Sequence, residues 1–272
     1  MYCQVQDLEV YYETYGEGKP ILAIHGYYID HHVMEGCLEP IFKDRPGWKR
    51  IYIDLPGFGK TKPEDWIISS DVMLDIILQF IDKVIPGENF LLAGESYGGY
   101  LARGIVYNRQ DAVDGLLLIC PVIIADRGKR SLPPRTILVK NHELLLSLTP
   151  LEREKFEPWT TVHTDKVWMR FQKDIMPGVR LMDSKFADKL MKYGYPLSFD
   201  PDELVKPFTK PSLILTGRQD SNVGYKDDWG ILMDYPRATF AVLDRAAHML
   251  QIEQEGLFNA LVNEWLDRVE DM

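Results

Sequence analysis

Ser96 stands between Gly94 and Gly98 in the stretch LLAGESYGGYLA, which runs from Leu91 to Ala102. A serine hydroxyl is a poor nucleophile near neutral pH and does covalent chemistry only where a base takes its proton. Leu91, Leu92 and Ala93 read as a short buried strand, whereas Tyr100, Leu101, Ile105 and Val106 recur at helical spacing. Ser96 therefore falls where a strand becomes a helix. A turn that sharp crowds the backbone, and glycines two residues to either side remove the Cβ atoms that would clash. The pattern is that of a nucleophile elbow. An ordinary glycine-rich turn uses the same residues, so the assignment depends on the partners Ser96 can find.

Six histidines could supply the base. His248 follows the last expected strand, within DRAAHMLQIEQ, at the edge where α/β sheets place their sites. His25 ends an earlier strand at the same edge, but its HG pair also suits a tight backbone turn. His31 and His32 are adjacent in the loop that follows, without the helical spacing of a zinc site. His142 and His163 fall in a region expected to face solvent or line a pocket. His248 is the best placed of the six. An imidazole base also needs a carboxylate to fix its tautomer and stabilise the imidazolium. Asp220, in GRQDSNVG beyond the strand PSLILT, has that position. The rivals are Asp54, read as ordering its own glycine-rich turn, and Asp244, read as a turn cap. The order Ser96, Asp220, His248 is the order that accompanies a nucleophile elbow.

Acyl transfer further requires donors aimed at the oxygen that becomes negative. The backbone N–H of Tyr97 opens the helix after the elbow, where the helix dipole favours an anion. A second donor is expected from the loop after ILAIHG, at the N–H of Tyr27. Packing between the sheet and the elements above it is the other use for Tyr27 and Tyr28.

The elements that must hold these residues are legible as alternating runs. Antiparallel strands are expected at Gln4–Val5 and Leu8–Tyr15. Nearly continuous apolar strands follow from Ile21, Arg50, Asn89, Gly115, Pro211 and Thr239, as strands buried on both faces should be. Helices are expected at Asp71–Val84 with a Ser69 or Ser70 cap, Tyr97–Asn108, Lys226–Asp234 and Glu255–Val269. This alternation predicts an α/β fold with a mostly parallel sheet and helices on both faces. Residues 1–120 and 211–272 form the expected core. From Pro121 to Lys210 the strand rhythm stops, and this segment is expected to be an inserted helical lid. Its small excess of Lys and Arg is read as a solvated surface in preference to a field that attracts anions. DRGKRSLPPR, from Asp126, is read as a mobile basic loop.

With 46% hydrophobic residues the chain can bury a sizeable core, and its formal charge of −10 argues against nucleic acid as a partner. No apolar run reaches the roughly 18 residues of a bilayer span, and the N-terminus lacks the pattern of a leader. A cytoplasmic protein is the expectation. Cys3, Cys37 and Cys120 are too far apart for metal-ligand spacing, so neither a disulfide nor a bound metal is expected.

HGYY, DLPGFGKT, GESYGG, TGRQD and AAHMLQIEQ, in that order, make the sequence resemble an α/β-hydrolase fold protein of the lid-bearing type, over nearly the whole chain from Leu8 to Val269. By position the resemblance implies Ser96 as nucleophile, His248 as base, Asp220 as acid, and Tyr27 and Tyr97 as oxyanion donors. It implies no cofactor and a small-molecule substrate, and leaves open a homo-oligomer. Ser96 excludes the aspartate nucleophile of the dehalogenase pattern. Ile29 stands where related epoxide hydrolases commonly have a proline. A serine esterase is the main expectation. The alternatives are a binding or signalling protein with little turnover, cofactor-free oxygen chemistry, or an aminopeptidase of the proline iminopeptidase type. The last would need a substrate amine held by carboxylates such as Glu152, Glu154 or Glu157.

Overall fold

Eight strands form a single sheet in the computed structural model, which describes residues 1–272. They are β1 (Tyr2–Val5), β2 (Leu8–Tyr15), β3 (Lys19–Ile24), β4 (Trp48–Ile53), β5 (Phe90–Glu95), β6 (Val113–Ile119), β7 (Ser212–Gly217) and β8 (Ala238–Leu243). Their order across the sheet is β1-β2-β4-β3-β5-β6-β7-β8. The β1–β2 and β2–β4 pairs are antiparallel and the rest parallel. β3, β5, β6 and β7 are flanked on both sides, and nearly every residue in them is buried, as their continuous apolar sequence requires. β8 has the same apolar composition but lies at the sheet edge, and all its residues except Leu243 are half-buried.

The register brings the strand ends into line. Ile24 pairs with Gly94, Glu95 with Ile119, and Gly217 with Leu243. The loops carrying Tyr27, Ser96, Asp220 and His248 therefore all leave from the same edge of the sheet.

The helices are α1 (His32–Phe42), α2 (Ser70–Val84), α3 (Tyr97–Arg109), α4 (His142–Ser147), α5 (Pro150–Trp159), α6 (Asp165–Asp174), α7 (Met176–Leu181), α8 (Ser184–Tyr193), α9 (Leu250–Glu253) and α10 (Glu255–Glu270). α2 packs with α3 and α1 packs with α10, two pairs that cover the faces of the sheet. The Ser69 hydroxyl caps α2 by accepting from the Val72 N–H at 3.3 Å, an interaction that stabilises a helix by about 1 kcal/mol. α1 was not expected, because Gly36 and Pro40 interrupt its helical pattern. Gly36 is needed there: a Cβ would strike the Asp174 carboxylate of α6, which packs against this helix. The expected helix at Lys226–Asp234 is instead a 3₁₀ helix at Asp227–Asp234.

Five helices, α4 to α8, lie between β6 and β7. Their buried side chains, among them Phe156, Phe171 and Leu190, join the core of the sheet in one continuous apolar cluster. No helix is long and apolar enough to cross a membrane.

Candidate active site

Ser96 has φ 51° and ψ −112°, a conformation L-residues rarely adopt, at the junction of β5 and α3. Strain of this kind persists only where the surroundings over-determine it. Here the Ser96 N–H donates to the Ile119 carbonyl at 2.9 Å, and its own carbonyl accepts from Val122 at 3.0 Å and Tyr100 at 3.2 Å. A Cβ at Gly98 would collide with the carbonyls of Ile24 and His25, and one at Gly94 with the backbone of Gly98. The glycines let α3 begin hard against β3 and β5.

His248 Nε2 lies 3.0 Å from Ser96 Oγ, and its Nδ1 lies 2.7 Å from Asp220 Oδ2. The other Asp220 oxygen accepts from the amides of Asn222 (2.8 Å) and Val223 (3.1 Å). These bonds hold the carboxylate in one orientation. Burial alone would lower the pKa of His248, but the Asp220 carboxylate and its hydrogen bond, with Glu95 adding to them, raise it above the usual imidazole range. The sequence-predicted serine, histidine and aspartate thus form one hydrogen-bonded chain at the sheet edge.

Tyr97 is the first residue of α3, so its amide has no carbonyl one turn back. Tyr27 follows β3 across His25 and Gly26. Both tyrosine side chains make structural contacts: the Tyr27 hydroxyl donates to the Ala187 carbonyl of α8 at 2.7 Å, and the Tyr97 hydroxyl meets Ser70 Oγ at 2.6 Å. The Tyr27 ring packs edge-on against Tyr97 and Tyr195, and so ties the loop after β3 to the helices above it.

The remaining candidates lie elsewhere. His25 is buried, its pKa lowered mainly by that burial, and its Nε2 accepts from the Leu55 N–H at 2.9 Å. His31 and His32 stack at 4.1 Å between ring centroids, and their Nδ1 atoms meet Asp54 and Asp30 respectively. Asp54 also accepts from the amides of His31 and Lys60, so it orders its own turn as expected. Asp244 is bonded by Gln219. His142 is exposed; His163 is fully buried against Phe156, and so neither faces solvent nor lines the pocket.

One residue escaped the sequence reading. Glu95, immediately before Ser96, is fully buried with both carboxyl oxygens lacking a hydrogen-bond partner, and Oε1 lies 3.6 Å from His248 Nε2. Burial pushes its pKa up to about 7. An acidic residue at the end of the otherwise apolar run FLLAGE was the available signal.

A cavity of about 480 Å³ opens on Ser96 and His248, a size suited to a small ligand. Tyr28, Trp159, Tyr195 and Met249 supply apolar wall, and Arg127, Arg130 and Lys192 supply positive charge. The basic loop is tied down: Arg127 donates to the carbonyls of Ser221 and Asn222, and Arg130 to those of Ile124, Ala125 and Asn222. Glu152, Glu154 and Glu157 are not among the lining residues. They bond to Thr149, Lys155 and Arg153.

Residues 21–261 match the model of the alpha/beta hydrolase family. The chain is 24% identical over 263 residues to a pimeloyl-[acyl-carrier protein] methyl ester esterase of Legionella pneumophila, covering 95% of this chain and 100% of that one. It is 23% identical to an (E)-2-((N-methylformamido)methylene)succinate hydrolase of Acinetobacter baylyi, over 94% of both chains. Among solved structures, an alpha/beta superfamily hydrolase from Oenococcus oeni superposes with a TM-score of 0.88 at 28% identity, covering 96% of each chain. The family match over most of the chain, on this eight-stranded sheet, establishes that the protein belongs to the alpha/beta hydrolase family and, with it, to the hydrolases.

Proposed function

We propose that this hydrolase cleaves small carboxylic esters through a covalent acyl-serine. The observation that carries the reading is the unbroken chain from Ser96 Oγ through His248 to Asp220, with contacts of 3.0 and 2.7 Å. His248 takes the Ser96 proton as Oγ attacks the ester carbonyl, and Asp220 stabilises the imidazolium. The oxyanion that forms is received by the amides of Tyr27 and Tyr97, donors of a kind typically worth a hundredfold to a thousandfold each in rate. His248 then returns the proton to the departing alcohol. Water, deprotonated by the same histidine, attacks the acyl-serine and releases the acid. The helices between β6 and β7 act as a lid over the apolar wall.

The names of the relatives agree with this class, since one is an ester hydrolase. Glu152, Glu154 and Glu157 do not line the cavity, and Asp126, the lid carboxylate that does, is engaged by the Gly128 amide and faces Lys129, which gives the aminopeptidase alternative little support.

The test is intact-protein mass spectrometry after treatment with a fluorophosphonate. A single adduct on Ser96, lost in Ser96→Ala and in His248→Ala, is expected. A folded protein that takes no label would overturn the reading and leave a ligand-binding role on the same scaffold.

A further inference from the structure

The cavity wall facing Ser96 carries more positive charge than the chain neutralises. Arg130 is half-buried, and its guanidinium meets uncharged groups: the carbonyls of Ile124 at 2.7 Å, Asn222 at 2.9 Å and Ala125 at 3.0 Å, with the Tyr195 side chain beside it. A guanidinium has five N–H donors, so these contacts do not use them all. Arg127 likewise meets only the carbonyls of Ser221 and Asn222, and Lys192 lies over the Tyr193 ring. Neither arginine nor Lys192 has a carboxylate within ion-pair distance, unlike Arg45, Arg50, Arg103, Arg109 and Lys206, which are paired. Asp126, the one carboxylate at the rim, is engaged by the Gly128 amide and faces Lys129.

The arrangement is also preorganised. Both arginines are fastened to Asn222, two residues beyond Asp220 in the same loop, so their heads are held in place before anything binds. A planar guanidinium with free N–H edges matches a carboxylate in geometry as well as in charge.

We infer that Arg130, assisted by Arg127 and Lys192, binds a carboxylate belonging to the substrate, so that the preferred substrates are half-esters of short dicarboxylic acids. This rests on the reading of Ser96 as nucleophile. Arg130 is the anchor because it is the least exposed of the three cations; Arg127 and Lys192 raise the local potential that draws the anion in.

The test compares kcat/KM for monomethyl glutarate with that for the uncharged methyl pentanoate, in the wild-type protein, Arg130→Ala and Arg130→Lys. The half-ester is expected to be preferred by about tenfold or more at low salt, with the preference shrinking as salt is added. Arg130→Ala should abolish the preference, and Arg130→Lys should restore part of it. The ratio is the readout, so a general loss of activity cancels. Equal rates for the two esters, or a ratio unchanged in Arg130→Ala, would overturn the inference while leaving ester hydrolysis standing. A second measurement separates the two readings. Glutarate should raise the melting temperature of the wild-type protein and not of Arg130→Ala. That result without ester turnover would keep the anion site and remove the esterase reading. No shift in the wild-type protein would overturn the anion site itself.

Discussion

The Glu95 carboxyl lies 3.6 Å from His248 Nε2, the same nitrogen that faces Ser96 Oγ at 3.0 Å. In the proposed mechanism, one nitrogen thus sits between a nucleophile that gives it a proton and an acid that changes its charge near pH 7. When Glu95 is ionised it favours the imidazolium, which cannot act as base. The two groups titrate as a pair.

Replacing Glu95 with glutamine removes that charge and lowers the pKa of His248. The acid limb of the kcat/KM profile, which reports the base of the free enzyme, should move to lower pH by roughly half a unit to one unit. A pH–rate profile of Glu95→Gln on any turned-over ester checks this. An unmoved limb would mean that the charge on Glu95 does not reach the base.

Glu95 also makes stability depend on pH. Its pKa rises from an ordinary 4.5 to about 7 on folding. A raised carboxyl contributes its full stability below the unfolded value and loses it as pH climbs through the folded one. By pH 8 the wild-type protein should have lost about 3 kcal/mol from this group relative to pH 4. Melting temperatures recorded from about pH 5 to pH 8 should therefore fall more steeply in the wild type than in Glu95→Gln. Parallel curves would sink the assignment.

Asp220→Asn should lower kcat by about 10³-fold to 10⁴-fold, because an amide no longer fixes the productive tautomer of His248. Single-turnover kinetics, with circular dichroism to confirm the fold, measure it. Near-normal turnover would transfer the role to another carboxylate.

Gly26→Ala should damage activity more than stability. A Cβ there would collide with the Glu95 carboxylate and press on Ser96 Cβ. It would thereby displace the Tyr27 amide and the nucleophile together, and misplacement by about 1 Å typically costs on the order of 10²-fold in rate. Activity that survives intact would show that Tyr27 does not hold the oxyanion.

Much of this site could be read from the chain because its parts follow from local rules. Strands buried on both faces are written as continuous apolar runs, and the Ser96 turn advertises itself through Gly94 and Gly98. Asp220 and His248 follow from where strands end. What stayed hidden depends on partners distant in sequence. α1 was masked by Gly36 and Pro40, residues that disfavour a helix unless a neighbour such as Asp174 demands the space. The DRGKRSLPPR loop read as mobile because its anchors are main-chain carbonyls at Ser221 and Asn222, which leave no trace in side-chain chemistry. His163 read as facing solvent or lining a pocket until the fold buried it against Phe156.

Glu253 has a place in this picture as well. One of its oxygens accepts from the Ala247 amide at 2.6 Å, next to His248, and the other from Thr161 at 2.6 Å and Val162 at 2.8 Å, between α5 and α6. A single side chain therefore fastens the residue before His248 to the segment that joins α5 and α6. In the proposed mechanism, the placement of the imidazole against Ser96 and the placement of the helices between β6 and β7 are therefore set together, through one carboxylate.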